Sequence, residues 1–148
     1  MDWIRNRYTR PAALVLRLAL GAIFLYAAWL KLRDPWSLFA LSIDSYHLLP
    51  RWGVELVART LPWFELLIGV LLVAGVWLRL SSVATSLLLV VFFSLMVRAW
   101  AKGMEIACGC FGPGDIISWK TLLRDGSLLA ASLVLTGVVF LHRRRDAT

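Results

Sequence analysis

The sequence predicts an all-α integral membrane protein: a four-helix bundle with a short interfacial helix between the first and second spans. Three observations carry this expectation. Hydrophobic residues make up 60% of the 148 residues, charged residues 17%, and mean hydropathy is +0.76, against roughly half and a quarter for a soluble domain. Four segments are apolar over about the 20 residues that a helix needs to cross a bilayer core. All eight tryptophans fall near the ends of those segments or in the connections, at the headgroup level that indole rings favour. The length fits one domain over residues 1–148. The net charge of +7 would suggest nucleic acid in a soluble chain. Here the basic residues flank apolar runs, so membrane lipid is the expected partner and nucleic acid is not.

The first span runs from about Ala12 to Leu32, charge-free from Leu18 to Leu30. It lacks a following A-x-A-like site and reads as a retained anchor. In the first connection Asp34-Pro35 marks a helix start, with Asp34 placed to cap and Pro35 at the first helical position. Trp36, Phe39, Leu41, Ile43 and Leu48 then make an apolar-rich segment suited to the interface. Pro50 ends that segment, and Arg51–Arg59 begins the second helix early, with a kink expected at Pro62. The second span covers about Leu61 to Leu78 and holds one charge, Glu65. Arg79 and the Ser81-Ser82 pair are all that separates it from the third span, Leu80 to Val97, so these two form an antiparallel hairpin. Gly103, Gly109, Gly112, Pro113 and Gly114 mark a loop. The fourth span runs from about Thr121 to Leu141, charge-free from Gly126 onward. Gly21, Gly69, Gly75 and Gly137, with Ser82, Ser86 and Ser132, read as helix-contact positions.

Four spans put both termini on one side. Lysine and arginine divide evenly between the two faces, so orientation rests on clustering. Arg5, Arg7 and Arg10 at one end and Arg143, Arg144 and Arg145 at the other favour cytoplasmic termini in a bacterial-type inner membrane. Connectivity then gathers Lys31, Glu65, Arg98, Lys102 and Cys108-Gly109-Cys110-Phe111-Gly112 on the opposite, extracytoplasmic face, where disulfides persist.

Cys108 and Cys110 are the candidate reactive pair. Cysteines one residue apart reach bonding distance only in a tight turn, which the flanking glycines permit, and such a small ring is exchange-prone. Nearby Lys102, Arg98 or a helix amino terminus would favour a thiolate. Two inert thiols remain an alternative. A metal site is disfavoured, because structural zinc needs four ligands and His47 is the sole third candidate.

Glu65 and Lys31 form the second candidate pair. A carboxylate within a span needs a partner, and Lys31 is the natural one, with Arg98 in competition. The pair reads either as a structural ion pair or as a group that shuttles protons and tunes the thiols. Tyr46 and His47 suit either interfacial packing or contact with a quinone head group. His142 belongs to a solvated basic tail, and no tryptophan is assigned chemistry.

Taken together, Arg17-Leu18, Gly21-Ala22-Ile23-Phe24, Lys31-Leu32-Arg33-Asp34-Pro35, Tyr46, Leu49-Pro50, Pro62-Trp63-Phe64-Glu65-Leu66 and Cys108-Gly109-Cys110-Phe111-Gly112 resemble the methylamine-utilisation (MauE) branch of the DoxX-like superfamily. The resemblance implies a four-helix inner-membrane protein linked to disulfide formation or thiol reduction outside the cytoplasm. It further implies a thioredoxin-like partner, or a disulfide-rich one, as in maturation of a methylamine dehydrogenase subunit. On this reading one of Cys108 and Cys110 forms a mixed disulfide with a partner, the other resolves it, and Glu65 and Lys31 handle charge and protons. One cysteine pair cannot carry electrons across a membrane, so a second carrier is expected, with a quinone as the candidate cofactor. The alternatives are a quinone-linked electron-transfer subunit with structural cysteines, and a non-catalytic subunit of a membrane complex.

Overall fold

The computed structural model describes the backbone of residues 2–106 and 116–146. Among the described residues five helices follow in order: α1 (Asp2–Arg33), α2 (Trp36–Asp44), α3 (Arg51–Ala74), α4 (Leu78–Ala101) and α5 (Trp119–Asp146). Four of them contain segments long and apolar enough to cross a membrane: Pro11–Arg33, Arg51–Ala74, Leu78–Ala101 and Trp119–His142. The all-α bundle and the short helix between the first two spans follow the expectation. Each span of 24 residues extends about 36 Å, beyond the roughly 30 Å of hydrocarbon.

Two boundaries differ from the sequence reading. The α3–α4 turn is Gly75-Val76-Trp77, and Arg79 lies in the first turn of α4. Gly75 takes the left-handed conformation at φ 75°, and the amide groups of Gly75 and Val76 both donate to the Leu71 carbonyl, at 2.9 and 3.3 Å. That cap ends the helix four residues earlier than hydropathy indicates, because Val76, Trp77 and Leu78 are as apolar as the span itself. Asp34 does not cap α2. Pro35 occupies the cap position without a side-chain bond, and the Asp34 amide instead donates to Leu30 O at 3.4 Å, finishing α1. As expected, α3 starts early, at Arg51 behind Pro50, and the helix continues through the buried Pro62.

Helix α1 packs on α3 and α5, α3 on α4, and α4 on α5, while α2 lies against α3 and touches α1. The α1–α3 crossing is made at two glycines. A Cβ on Gly69 would stand 2.8 Å from Leu25 Cγ and 3.1 Å from the Gly21 carbonyl, and one on Gly21 would stand 2.7 Å from Val73 Cγ2. Helices approach this closely in a membrane only where side chains are absent. Leu20, Phe24, Ile68, Leu72 and Leu135 form the main core. Between α4 and α5 the contact is polar: Ser86 Oγ lies 3.3 Å from Ser132 Oγ and 3.0 Å from Thr136 Oγ1. Gly137, expected at a helix contact, faces open space.

A second cluster of Met96, Ala99 and Ile117, with Tyr46, Met104, Ile106 and Leu122 against it, closes the end of the bundle where α4 stops and α5 begins. There the Ile117 amide donates to the Ile106 carbonyl at 3.0 Å. This bond ties together the two flanks of the segment that carries Cys108 and Cys110. Those two residues themselves lie outside the described residues.

Candidate functional site

Lys31 sits in the last turn of α1, and Glu65 fourteen residues into α3, so that about 21 Å of α3 extends beyond the level of their pairing. That protruding part carries α2. Lys31 Nζ donates to both Glu65 carboxylate oxygens, at 2.7 and 2.8 Å. The two side chains are 2% and 7% exposed. The ammonium also lies 5.0 Å from the ring centre of Phe39 on α2 and 5.8 Å from that of Phe92 on α4. Four elements therefore build one buried charge site: α1 supplies the cation, α3 the anion, and α2 and α4 the aromatic walls. Arg98, the competing counter-ion, is exposed.

Two cavities and a groove adjoin this pair. Lys31 borders an open groove of about 540 Å³ at the bundle end, lined also by Arg33, Asp34, Trp36, Arg59 and Trp63. Glu65 borders a small cavity of about 40 Å³ on the bundle axis. Phe39 and Phe92 form part of the wall of a third space, about 330 Å³, between α2, α3 and α4. Its lining is apolar except for Ser42 and Tyr46, with Val57, Leu61, Val91 and Leu95 along its length. The two aromatic rings near the ammonium thus also line this apolar space.

The family model described as methylamine utilisation protein MauE matches residues 9–138. The chain belongs to the MauE family. One relative of this MauE chain is the methylamine utilization protein MauE of Methylorubrum extorquens (strain AM1), 34% identical over 127 residues. The match covers 84% of the present chain and 64% of the relative, so the chain spans somewhat less than two thirds of that protein's length. No solved structure matches the chain.

In this MauE member the structure brings Lys31 and Glu65 together and parts Tyr46 from His47. Tyr46 is half-buried, lines the apolar cavity and packs on the cluster of Met96, Ala99 and Ile117. His47 is exposed, takes a left-handed backbone (φ 52°) and is not among the residues lining that cavity. His142, read from sequence as solvated, is half-buried, and its Nε2 is shielded from solvent without a hydrogen-bond partner among the described residues. The sequence reading also passed over one residue, Asp125. It is 4% exposed, lies 3.1 Å from Arg124 Nε, and borders the same small cavity as Glu65. Its signal was present: a carboxylate at the start of the fourth span, as unusual there as Glu65 in the second.

Proposed function

We propose that this MauE protein is a membrane thiol–disulfide redox protein, or an accessory of one, acting in methylamine utilisation. The observation that supports the reading is that the two flanks of the cysteine-bearing segment meet at the end of the bundle that also holds a buried charge pair. The flanks of the cysteine-bearing stretch, Ile106 and Ile117, are joined by a backbone hydrogen bond and belong to one cluster with Tyr46, Met96 and Ala99. Lys31 and Glu65 lie on the same end of the bundle. In the proposed exchange a Cys108 or Cys110 thiolate attacks a partner disulfide, displacing one partner sulfur as thiolate. The remaining cysteine then attacks the mixed disulfide, so the partner leaves as a dithiol and the chain holds the Cys108–Cys110 disulfide; the reverse sequence oxidises a partner. Fitting partners are a thioredoxin-like protein or a disulfide-rich extracytoplasmic protein, as in maturation of a methylamine dehydrogenase subunit. The proposed topology has both termini cytoplasmic, supported by the arginine clusters at 5–10 and 143–145.

The test is a single Cys108→Ser or Cys110→Ser chain expressed in its native membrane. One of the two should accumulate a mixed disulfide with an extracytoplasmic protein, visible as a reductant-sensitive mass shift. If neither single variant traps a partner, and the double variant keeps full function, the thiol reading is wrong.

A second reading is favoured by a specific observation, the apolar cavity lined by Ser42 and Tyr46. A quinone fits its size and its one-ended polarity, in keeping with the proposed DoxX-like kinship. The quinone would then serve either as the acceptor for the dithiol or as the cofactor of an electron-transfer subunit whose cysteines are structural. Quinone that copurifies with the protein and persists after double Cys→Ser substitution supports the latter.

A further inference from the structure

Arg17 places a half-buried guanidinium inside a membrane-crossing segment, Pro11–Arg33. Along α1 the acids on either side of it are Asp2 and Asp34, fifteen and seventeen residues away. No acidic residue lies between Glu65 and Glu105 or between Asp125 and Asp146, so the stretches of α3, α4 and α5 that pack in this half of the bundle carry none. The ion pairs among the described residues do not include Arg17. Its Nε is shielded from solvent and has no hydrogen-bond partner among those residues. A charge within a span needs a partner, and the fold supplies only a helix end. Arg17 packs on the left-handed Gly75 that closes α3, where a Cβ would stand 2.9 Å from Nη1 and 3.2 Å from Cζ. The carboxyl end of a helix is worth roughly half a negative charge, which leaves about half of the Arg17 charge unbalanced. Arg79, in the first turn of α4, is likewise half-buried and outside those ion pairs, 5.3 Å from the ring centre of Phe140. This end of the bundle thus holds positive charge that its packed helices do not neutralise.

We propose that Arg17, seated on the α3–α4 turn, holds the phosphate of an anionic phospholipid in the leaflet at the end of the bundle where α1 begins and α5 finishes. The turn lies at headgroup level, since its Trp77 is 70% exposed. Exposed surface beside Arg17 is apolar: Leu14 and Leu18 on α1, Val76 and Trp77 at the turn. A free phosphate would meet hydrocarbon there, whereas a phospholipid brings phosphate and acyl chains together. The guanidinium N–H groups donate to the phosphate oxygens, and the net charge of the lipid completes what the helix end leaves unbalanced. A zwitterionic lipid carries the same phosphate with its own cation and is the poorer occupant. The site stands whether or not Cys108 and Cys110 exchange disulfides.

Photocrosslinking of the full chain in nanodiscs tests this without any activity assay. Val76→p-benzoylphenylalanine puts the photoreactive group on the turn, and the discs hold equal amounts of phosphatidylglycerol and phosphatidylcholine. With Arg17 in place, mass spectrometry should find phosphatidylglycerol crosslinked about fivefold over phosphatidylcholine, the weight of one basic residue at an anionic surface. Arg17→Gln should bring the ratio to within about twofold of one. Arg17→Lys, which keeps the charge, should retain most of the preference. Arg33→Gln removes a cation at the other end of α1 and should leave it unchanged. A ratio near one with Arg17 in place overturns the proposal, and this measurement needs no Arg17 variant to assemble. So does a preference that survives Arg17→Gln, or one that falls equally in Arg33→Gln, which would reflect net charge alone. A loss in Arg17→Lys as large as in Arg17→Gln also overturns it, because Arg17 would then act by shaping the turn and not by its charge.

Discussion

Replacing Lys31 by methionine removes the ammonium while retaining a stem of similar length between Phe39 and Phe92. Glu65 then stays 5% exposed among apolar neighbours, with its two oxygens deprived of the donors at 2.7 and 2.8 Å. Breaking a buried pair from one side costs about 3–5 kcal/mol, because the remaining charge is uncompensated. Removing both charges, in Lys31→Met with Glu65→Met, leaves nothing uncompensated and should restore most of that loss. The order of stability is therefore wild type and double variant together, with the single variant well below. Unfolding of purified protein in mixed micelles titrated with denaturing detergent reads this directly. The reasoning fails if Lys31→Met lies within about 1 kcal/mol of wild type, or if the double variant is as unstable as the single. The first result would mean that water or another cation reaches Glu65, and the second that the pair contributes by shape and not by charge.

Other expectations follow from single contacts. Gly69→Ala places a methyl 2.8 Å from Leu25 Cγ and 3.1 Å from a backbone carbonyl, so it should cost roughly 1–3 kcal/mol in the same assay. Gly137→Ala, in open space, should be close to neutral. Gly75→Ala forces an alanine to φ 75° beside the Arg17 guanidinium, 2.9 Å from the added carbon, and should lower stability by about 1–2 kcal/mol. If quinone occupies the space between α2, α3 and α4, Leu61→Trp should cut copurifying quinone severalfold, measured by extraction and chromatography. His47→Ala should leave that yield unchanged, because His47 is not part of the lining.

Much of the fold was legible in the sequence. Apolar runs in a chain of this composition leave helices as the economical way to satisfy backbone groups in lipid, and the tryptophan positions bracket them correctly. Seven tryptophans, Trp29, Trp36, Trp52, Trp63, Trp77, Trp100 and Trp119, are all exposed, as headgroup anchors should be. The Lys31–Glu65 pairing was legible for the same reason: a carboxylate in a span needs a cation, and chain connectivity offered few. Helix ends were less so. Hydropathy does not register a left-handed glycine in an apolar run, and the α3–α4 turn at Gly75 lay hidden in one.

Tertiary structure alone decided which polar groups share a space. Asp125 follows Arg124 in sequence and resembles a solvated helix end, yet in the packing of α5 on α1 and α4 it is buried and borders the same cavity as Glu65, sixty residues away. Tyr46 and His47 are neighbours in the chain, and a left-handed backbone at His47 sends them to different surroundings. Composition determines that a chain enters a membrane, because burial of apolar area is additive along the sequence. Which side chains meet inside depends on helix rotation and crossing, set here by Gly21 against Gly69; the sequence marks both glycines as contact positions, but no local pattern encodes that they meet each other.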